Sequence, residues 1–194
     1  MQKEGLSSEY RFADCLGKKV LITGDLGSGK TALLAKLLDE AINSKQGAKI
    51  TVIDMAPGKR DVGSYTMGKT LRYYLKNLDL VQYMAPKNVY APRLDGGSKE
   101  QVEKLALANA KNIGALFSEF MEKRSKILFI NDVTLFLHRG ELARLLKVIS
   151  KCSTFVANGY RGKFPADDMG TGISRRERRL LDKLQKSMDI VIEL

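Results

Sequence analysis

The chain has 194 residues, with 33 lysines and arginines against 22 aspartates and glutamates and a formal net charge of +11. That length suits one domain with a full core, and a hydrophobic content of 44% is ordinary for a globular protein. No apolar run approaches about 18 residues, so no membrane-spanning helix is placed, and two cysteines, Cys15 and Cys152, without metal spacing rule out a dense disulfide frame.

Residues 1–17 lack the apolar core of a secretory signal and read as a polar lead-in. With so few cysteines, a cytoplasmic setting is expected. The basic excess favours anionic partners, namely nucleotides, nucleic acid or another polyanion, without choosing among them.

In chain order, "KKVLIT" is a compact β-rich run. "KTALLAKLLDEAINS" follows it, with Leu33, Leu34, Leu37, Leu38, Ala41 and Ile42 at helical spacing and Gly47 as the stop. "KITVID" is the next strand. A helical crossover between two such apolar strands predicts a right-handed βαβ unit in a parallel sheet covered on both faces. "MAPGKRDVGSYTMGKT" reads as loop, "LRYYLKNL" as a short helix and "LVQYMA" as a strand, with Pro86 and Pro92 bracketing irregular structure. Residues 99–124 predict a long helix whose apolar stripe includes Val102, Ala106, Ile113, Phe117 and Phe120. "KILFIND" is a strand, "ELARLLKVIS" a helix, "STFVA" a strand and "NGYRGKFPADDMGTG" a polar loop. "SRRERRLLDKLQKS" predicts a helix with Ser174 at the N-cap and Glu177 completing a capping box. "DIVIEL" is a closing strand. The pattern predicts an α/β chain, a three-layer αβα sandwich with a mostly parallel central sheet, forming a single domain over 1–194.

Two segments fit the phosphate-loop spacing of glycine, four free positions, then Gly-Lys-Thr: "GDLGSGKT" at 24–31 and "GSYTMGKT" at 63–70. Such a loop works through backbone amides that converge on phosphate oxygens, at the N-terminus of a helix that adds donors and positive potential. The first segment has the required context, with an apolar strand before it and a strongly periodic helix after it. Gly24, Asp25, Leu26, Gly27, Ser28, Gly29, Lys30, Thr31 and Ala32 are therefore its candidate nucleotide-binding residues. Lys30 is assigned to the outer phosphates and Thr31 to Mg²⁺. The second segment lacks the buried strand, puts Tyr65 and Met67 into the curl and precedes a weaker helix, so it reads as a coincidence of letters.

Mg²⁺ needs hard oxygen ligands beside the phosphates. Asp132, at the end of "ILFIND", is the candidate carboxylate for holding the metal or its water and is counted with Lys30 and Asp54 among the candidate catalytic residues, with Asn131 the alternative polar tip. Asp54 ends "ITVID" and reads either as a catalytic carboxylate or as a turn-capping one. Val133 follows Asp132 and cannot polarise water. His138 reads as a loop or surface residue. Lys59, Arg60, Lys69, Arg161, Lys163, Arg175 and Arg176 are candidate polyanion-binding residues, with Arg178 and Arg179 crowding the same helix start.

With Gly24–Thr31 in a strand–loop–helix context and Asp132 on a later strand, the chain resembles the P-loop NTPase superfamily. That resemblance implies ATP, or GTP, with Mg²⁺ held over the first loop. The run from "GKKVLITGDLGSGKT" to "KITVIDMAPGKRDVG" looks like the start of polynucleotide 5'-hydroxyl kinases, with Asp54 near the transferred phosphate. "FIND" through "STFVANG" resembles the layout of corrinoid adenosyltransferases, and RecA-like ATPases share similar features. The resulting expectation is a Mg²⁺-dependent ATPase with a RecA-like core. The alternatives are a small kinase or adenosyl-transferring enzyme, or a nucleic-acid-binding or assembly module with little turnover. A homo-oligomer stays open.

Overall fold

The computed structural model describes residues 9–62, 65–123, 125–162 and 167–194; Lys163 and part of the second glycine segment lie outside them. Eight strands occur among the described residues: β1 (Lys19–Gly24), β2 (Ile50–Asp54), β3 (Arg60–Val62), β4 (Tyr65–Met67), β5 (Gln82–Met84), β6 (Ile127–Asn131), β7 (Thr154–Tyr160) and β8 (Ile190–Glu193). Six of them form one sheet in the order β5-β2-β6-β7-β1-β8, and every pairing in it is parallel. The helices are α1 (Phe12–Cys15), α2 (Lys30–Ala41), α3 (Pro92–Asp95), α4 (Lys99–Glu122), α5 (Thr134–Leu137), α6 (Leu142–Ile149) and α7 (Ile173–Gln185).

Alternation along the strands divides the core into two layers. Val20, Ile22, Val52, Phe129 and Val156 face α1 and α2, whose Phe12, Leu34, Leu37 and Leu38 complete that side. Leu21, Ile53, Leu128, Ile130 and Phe155 face the opposite way, onto Phe117 and Phe120 of α4, Phe136 of α5, Leu145 of α6 and Leu181 of α7. Each fully buried Leu or Phe in such a layer contributes about 1.5–3 kcal/mol relative to exposure. This is the three-layer αβα arrangement with the parallel sheet expected from the sequence. The polar lead-in ends on α1, where Phe12 and Cys15 are buried and the Phe12 ring lies 6.0 Å from that of Phe129.

Local departures have local causes. The segment read as loop contains a hairpin, β3 against β4, with Asp61 opposite Thr66 and a 2.6 Å bond from the Thr66 hydroxyl to the Asp61 carboxylate. The β-favouring Val62, Tyr65 and Thr66 outweigh the glycines there. "LRYYLKNL" forms a single 3₁₀ turn, Leu71–Tyr73, with a second, Leu78–Leu80, starting at its last residue, rather than a helix, since only Leu71 and Leu78 find burial. Strand β7 continues through Asn158, Gly159 and Tyr160, expected as loop, because β1 offers paired backbone as far as Gly24. Pro92 opens α3 instead of bounding irregular chain, in keeping with proline's tolerance for the first helical position. Ser174 is not the N-cap of α7. Gly172 occupies that position at φ 73°, and the Asp168 carboxylate accepts from the Ser174 N–H at 3.0 Å. Glu177 takes no part in a capping box because its carboxylate is drawn inward to Arg93 and His138, as described below.

Candidate functional site

The carboxyl ends of β1, β7, β6 and β2 meet at one edge of the sheet, where open α/β sheets hold their ligands. A cavity of about 230 Å³ lies there, lined by Leu26, Gly27, Gly29, Lys30 and Thr31 from the first glycine loop and by Asn131, Asp132 and Asn158 from the strand tips. The loop takes its shape from backbone geometry. Gly27 has φ 71° and Gly29 φ 97°, left-handed values that a side chain would strain, and Gly29 is the N-cap of α2. The Asp25 carboxylate turns to its own loop, accepting from the Leu26 N–H at 2.7 Å. Leu26 is part of the cavity lining. Ala32 is exposed and outside the lining.

The Lys30 ammonium donates to the Asp25 carbonyl at 2.5 Å and lies 3.4 Å from the Ser28 hydroxyl. It thus lies back across the curl, held by acceptors that an anion in the loop would replace. Thr31 is fixed by a different device. The Asn158 amide donates to the Thr31 hydroxyl at 3.2 Å and to the Asn131 side-chain oxygen at 3.1 Å, while its own oxygen accepts from the Asp132 N–H at 2.6 Å. The Asn131 amide in turn donates to Asp54 at 2.8 Å and to the Lys69 carbonyl at 3.1 Å. A polar tie therefore runs from α2 across β7 and β6 to β2. Asn158 is a residue that the sequence reading missed, because it was assigned to a loop. An apolar strand ending on an amide was the available signal.

Asp132 has φ 62°, a left-handed conformation that aspartate accepts more readily than most residues. It turns the chain from β6 into α5. Its carboxylate accepts from the Thr134 hydroxyl at 2.8 Å. Burial pushes its pKa up, with the Glu177 charge adding to the rise, against the lowering effects of Thr134, His138 and Lys30. Asp54 is almost fully buried and does not line the cavity. It accepts from Leu71 N–H at 2.6 Å, Tyr83 hydroxyl at 2.7 Å, Asn131 at 2.8 Å and Ala56 N–H at 3.3 Å. Burial raises its pKa and these four donors oppose the rise.

The wall opposite the loop carries groups not expected there. His138 is buried to 1% exposure, a correction to its reading as a loop or surface residue. The packing of α5 turns it inward, 3.4 Å from the Glu177 carboxylate. Arg93 of α3 donates to the same carboxylate at 2.6 Å and to the Ser174 hydroxyl at 3.2 Å. Burial would raise the Glu177 pKa, but His138 and Arg93 outweigh it and hold the carboxyl below its usual range. All three side chains line the cavity.

The second glycine segment contributes a wall rather than a cradle. Thr66, Met67, Gly68 and Lys69 line the cavity, but a single 3₁₀ turn follows them, and the Lys69 ammonium sits 4.5 Å from the Tyr73 ring centre. Arg60 is ion-paired with Asp95, and Lys59 lies 6.0 Å from the Tyr73 ring centre; neither lines the cavity. Arg176 donates to the Gly140 carbonyl at 2.8 Å. Arg161 and Arg175 lie on a separate groove beside α7. No helix among the described residues is long and apolar enough to cross a membrane, and none of their His, Cys, Asp and Glu side chains cluster in threes as a metal site.

The family model for the nucleotide-binding domain of CobW/HypB/UreG matches residues 18–65, the stretch from the start of β1 into the β3–β4 hairpin. No curated protein matches. Among solved structures, the Pif1 helicase from Candida albicans is similar over 92% of this chain and 36% of that chain, at 14% identity and a TM-score of 0.38. The chain thus spans little more than a third of that helicase. The αβα fold and the family-model match place the chain in the broad P-loop NTPase superfamily, as a nucleotide-binding protein.

Proposed function

We propose that the domain binds ATP with Mg²⁺ over Gly24–Thr31 and hydrolyses it slowly, as an ATPase with a RecA-like core. The observation that carries this reading is the tie through Asn158, which joins the Thr31 hydroxyl to the backbone of Asp132 across the cavity. A hydroxyl and a carboxylate form a hard-oxygen donor set that suits Mg²⁺, which commonly takes one or two protein ligands and completes its shell with phosphate and water. Thr31 and Asp132 would hold the ion, and the ion would neutralise charge on the phosphates. Lys30 leaves the Asp25 carbonyl for the outer phosphates and, with the loop amides, stabilises negative charge on the transferred group. Arg93 supplies a second cation from the facing wall.

Water rather than a hydroxyl acceptor is favoured because Asp54 is committed to four donors and has no place at the cavity lining. A kinase that uses Asp54 as its base is therefore disfavoured. Val133 is fully buried in the core, so no carboxylate follows Asp132 to orient the water. Turnover without a stimulating partner should fall below the median of about 10 s⁻¹ for enzymes.

The test is binding of a fluorescent ATP analogue together with phosphate release in Mg²⁺. Lys30→Ala should weaken binding about 10- to 100-fold, the worth of a charged hydrogen bond, while Lys69→Ala should leave it close to the parent. Unchanged affinity in Lys30→Ala, or loss confined to Lys69→Ala, would overturn the assignment. Running GTP in parallel decides the base.

A further inference from the structure

A second concavity, of about 820 Å³, adjoins the first and shares Arg93, Tyr160 and Glu177 with it. One side is α7, which presents Arg175, Arg178, Arg179, Lys183 and Lys186 to the groove. All five are exposed. Their spacing of three, four, eight and eleven residues from Arg175 puts them on one helical face. The row runs about 16 Å along the axis, at roughly 1.5 Å per residue. Arg161, at the end of β7, forms the other side with Gly162, and its guanidinium reaches Asp182 at 3.5 Å and Glu193 at 3.1 Å.

This charge pattern works against the helix that carries it. Like charges three and four residues apart repel, and Arg175 lies in the first turn, where the helix dipole disfavours a cation; the carboxylate at that end, Asp168, is engaged by the Ser174 N–H. Among the described residues, Arg175, Arg179, Lys183 and Lys186 make no ion pair. Asp182 and Glu177 are the only carboxylates on the groove among those residues, and Glu177 is taken by Arg93 and His138. A row of this length meets several consecutive phosphates, not a single phosphate group. A groove of about 820 Å³ has room for a short run of one strand.

We infer that the groove between α7 and the end of β7 binds the phosphate backbone of a single-stranded nucleic acid. The strand would run beside the nucleotide cavity, with the Arg93–Glu177 pair as the partition between them. Binding by the α7 row requires no nucleotide, so it stands or falls separately from hydrolysis.

The probe is a fluorescein-labelled oligothymidylate of about 20 nucleotides, with oligouridylate of the same length and the matching duplex alongside, read by anisotropy without nucleotide. A strand that neutralises three to five phosphates should give a log–log salt slope of about −2 to −3.5, at roughly −0.7 per phosphate contact. Arg175→Glu, Arg179→Glu and Lys183→Glu combined should lower affinity at least tenfold and flatten the slope, and the corresponding glutamine triple variant should fall between. A far-ultraviolet circular dichroism spectrum and a urea midpoint matching the parent show that both variants are folded, independently of nucleotide binding. The two single strands compared separate DNA from RNA preference. Equal affinity in the parent and the glutamate variant, tighter binding of duplex than of single strand, or no strand binding at about 50 mM salt would each overturn the inference.

Discussion

Asp54 and Glu177 are both buried carboxylates, and their surroundings give them opposite thermodynamic roles. Asp54 is held by four neutral donors that do not cancel the cost of burying its charge, so its pKa lies above the ordinary value. Its contribution is fully present below the unfolded aspartate pKa of about 3.9 and is lost as pH rises through the folded value. Asp54→Asn keeps the shape but turns an amide N–H₂ toward groups that donate. We expect it to cost about 1–3 kcal/mol in urea unfolding, with a smaller effect on nucleotide affinity than Lys30→Ala. Glu177 has its pKa lowered by His138 and Arg93. Its contribution is present above the unfolded glutamate pKa of about 4.3 and is lost as pH falls through the folded one. The stability difference between the parent and Glu177→Gln should therefore shrink as pH falls below about 4.3. A difference that grew on acidification would contradict this assignment. The sequence alone named Asp54, but its pairing depends on Tyr83, Leu71 and Asn131, which only the fold brings to it.

At the scale of elements, the end of the β3–β4 hairpin and α3 line the cavity opposite the first glycine loop. The hairpin is set by a close approach at Gly68, which has φ 70° and where a Cβ would stand 2.3 Å from the Gly58 carbonyl oxygen. Gly68→Ala meets strain and collision together, so the hairpin must move. We expect weaker nucleotide binding with little change in unfolding free energy, because the core layers do not depend on this segment. Equal binding by Gly68→Ala would show that the hairpin is not a wall of the occupied site. Helix α4 was legible from its apolar stripe, and its Ser98 N-cap accepts from the Gln101 N–H at 3.3 Å. The hairpin was not legible, because each of its strands is only three residues long and their pairing is a tertiary choice between short segments. The four-residue α5 was passed over for the same reason, since its Leu135, Phe136 and Leu137 gain stability by packing rather than by periodicity.

For the whole molecule, the two cysteines supply a test of cooperativity. Cys15 belongs to the core layer on the α1–α2 side and Cys152 to the layer on the α4–α7 side. Burial pushes their thiols up to about 11 and about 12, respectively, so neither is a ready thiolate near neutrality. If residues 1–194 form a single cooperative domain, both should resist a thiol reagent in the native state. They should then become reactive with the same free energy and the same urea dependence, read by mass spectrometry of each labelled peptide. A Cys15 that labels well below the midpoint at which Cys152 labels would mean that the two layers open separately.

The sequence by itself determined the parallel α/β architecture, and it singled out the first glycine loop as the candidate phosphate cradle and Asp132, at the end of "ILFIND", as the candidate acidic partner. These rest on short-range physics: strand and helix periodicity, and the backbone freedom of glycines just before a helix. The tertiary structure decided which polar groups share one cavity. Strand β7 lies between β1 and β6, so Asn158 stands between Thr31 and Asp132. The inward packing of α5 and α7 carries His138 and Glu177 to Arg93. Those neighbours are separated by tens of residues in the chain, and strand order and helix facing, rather than local spacing, bring them together.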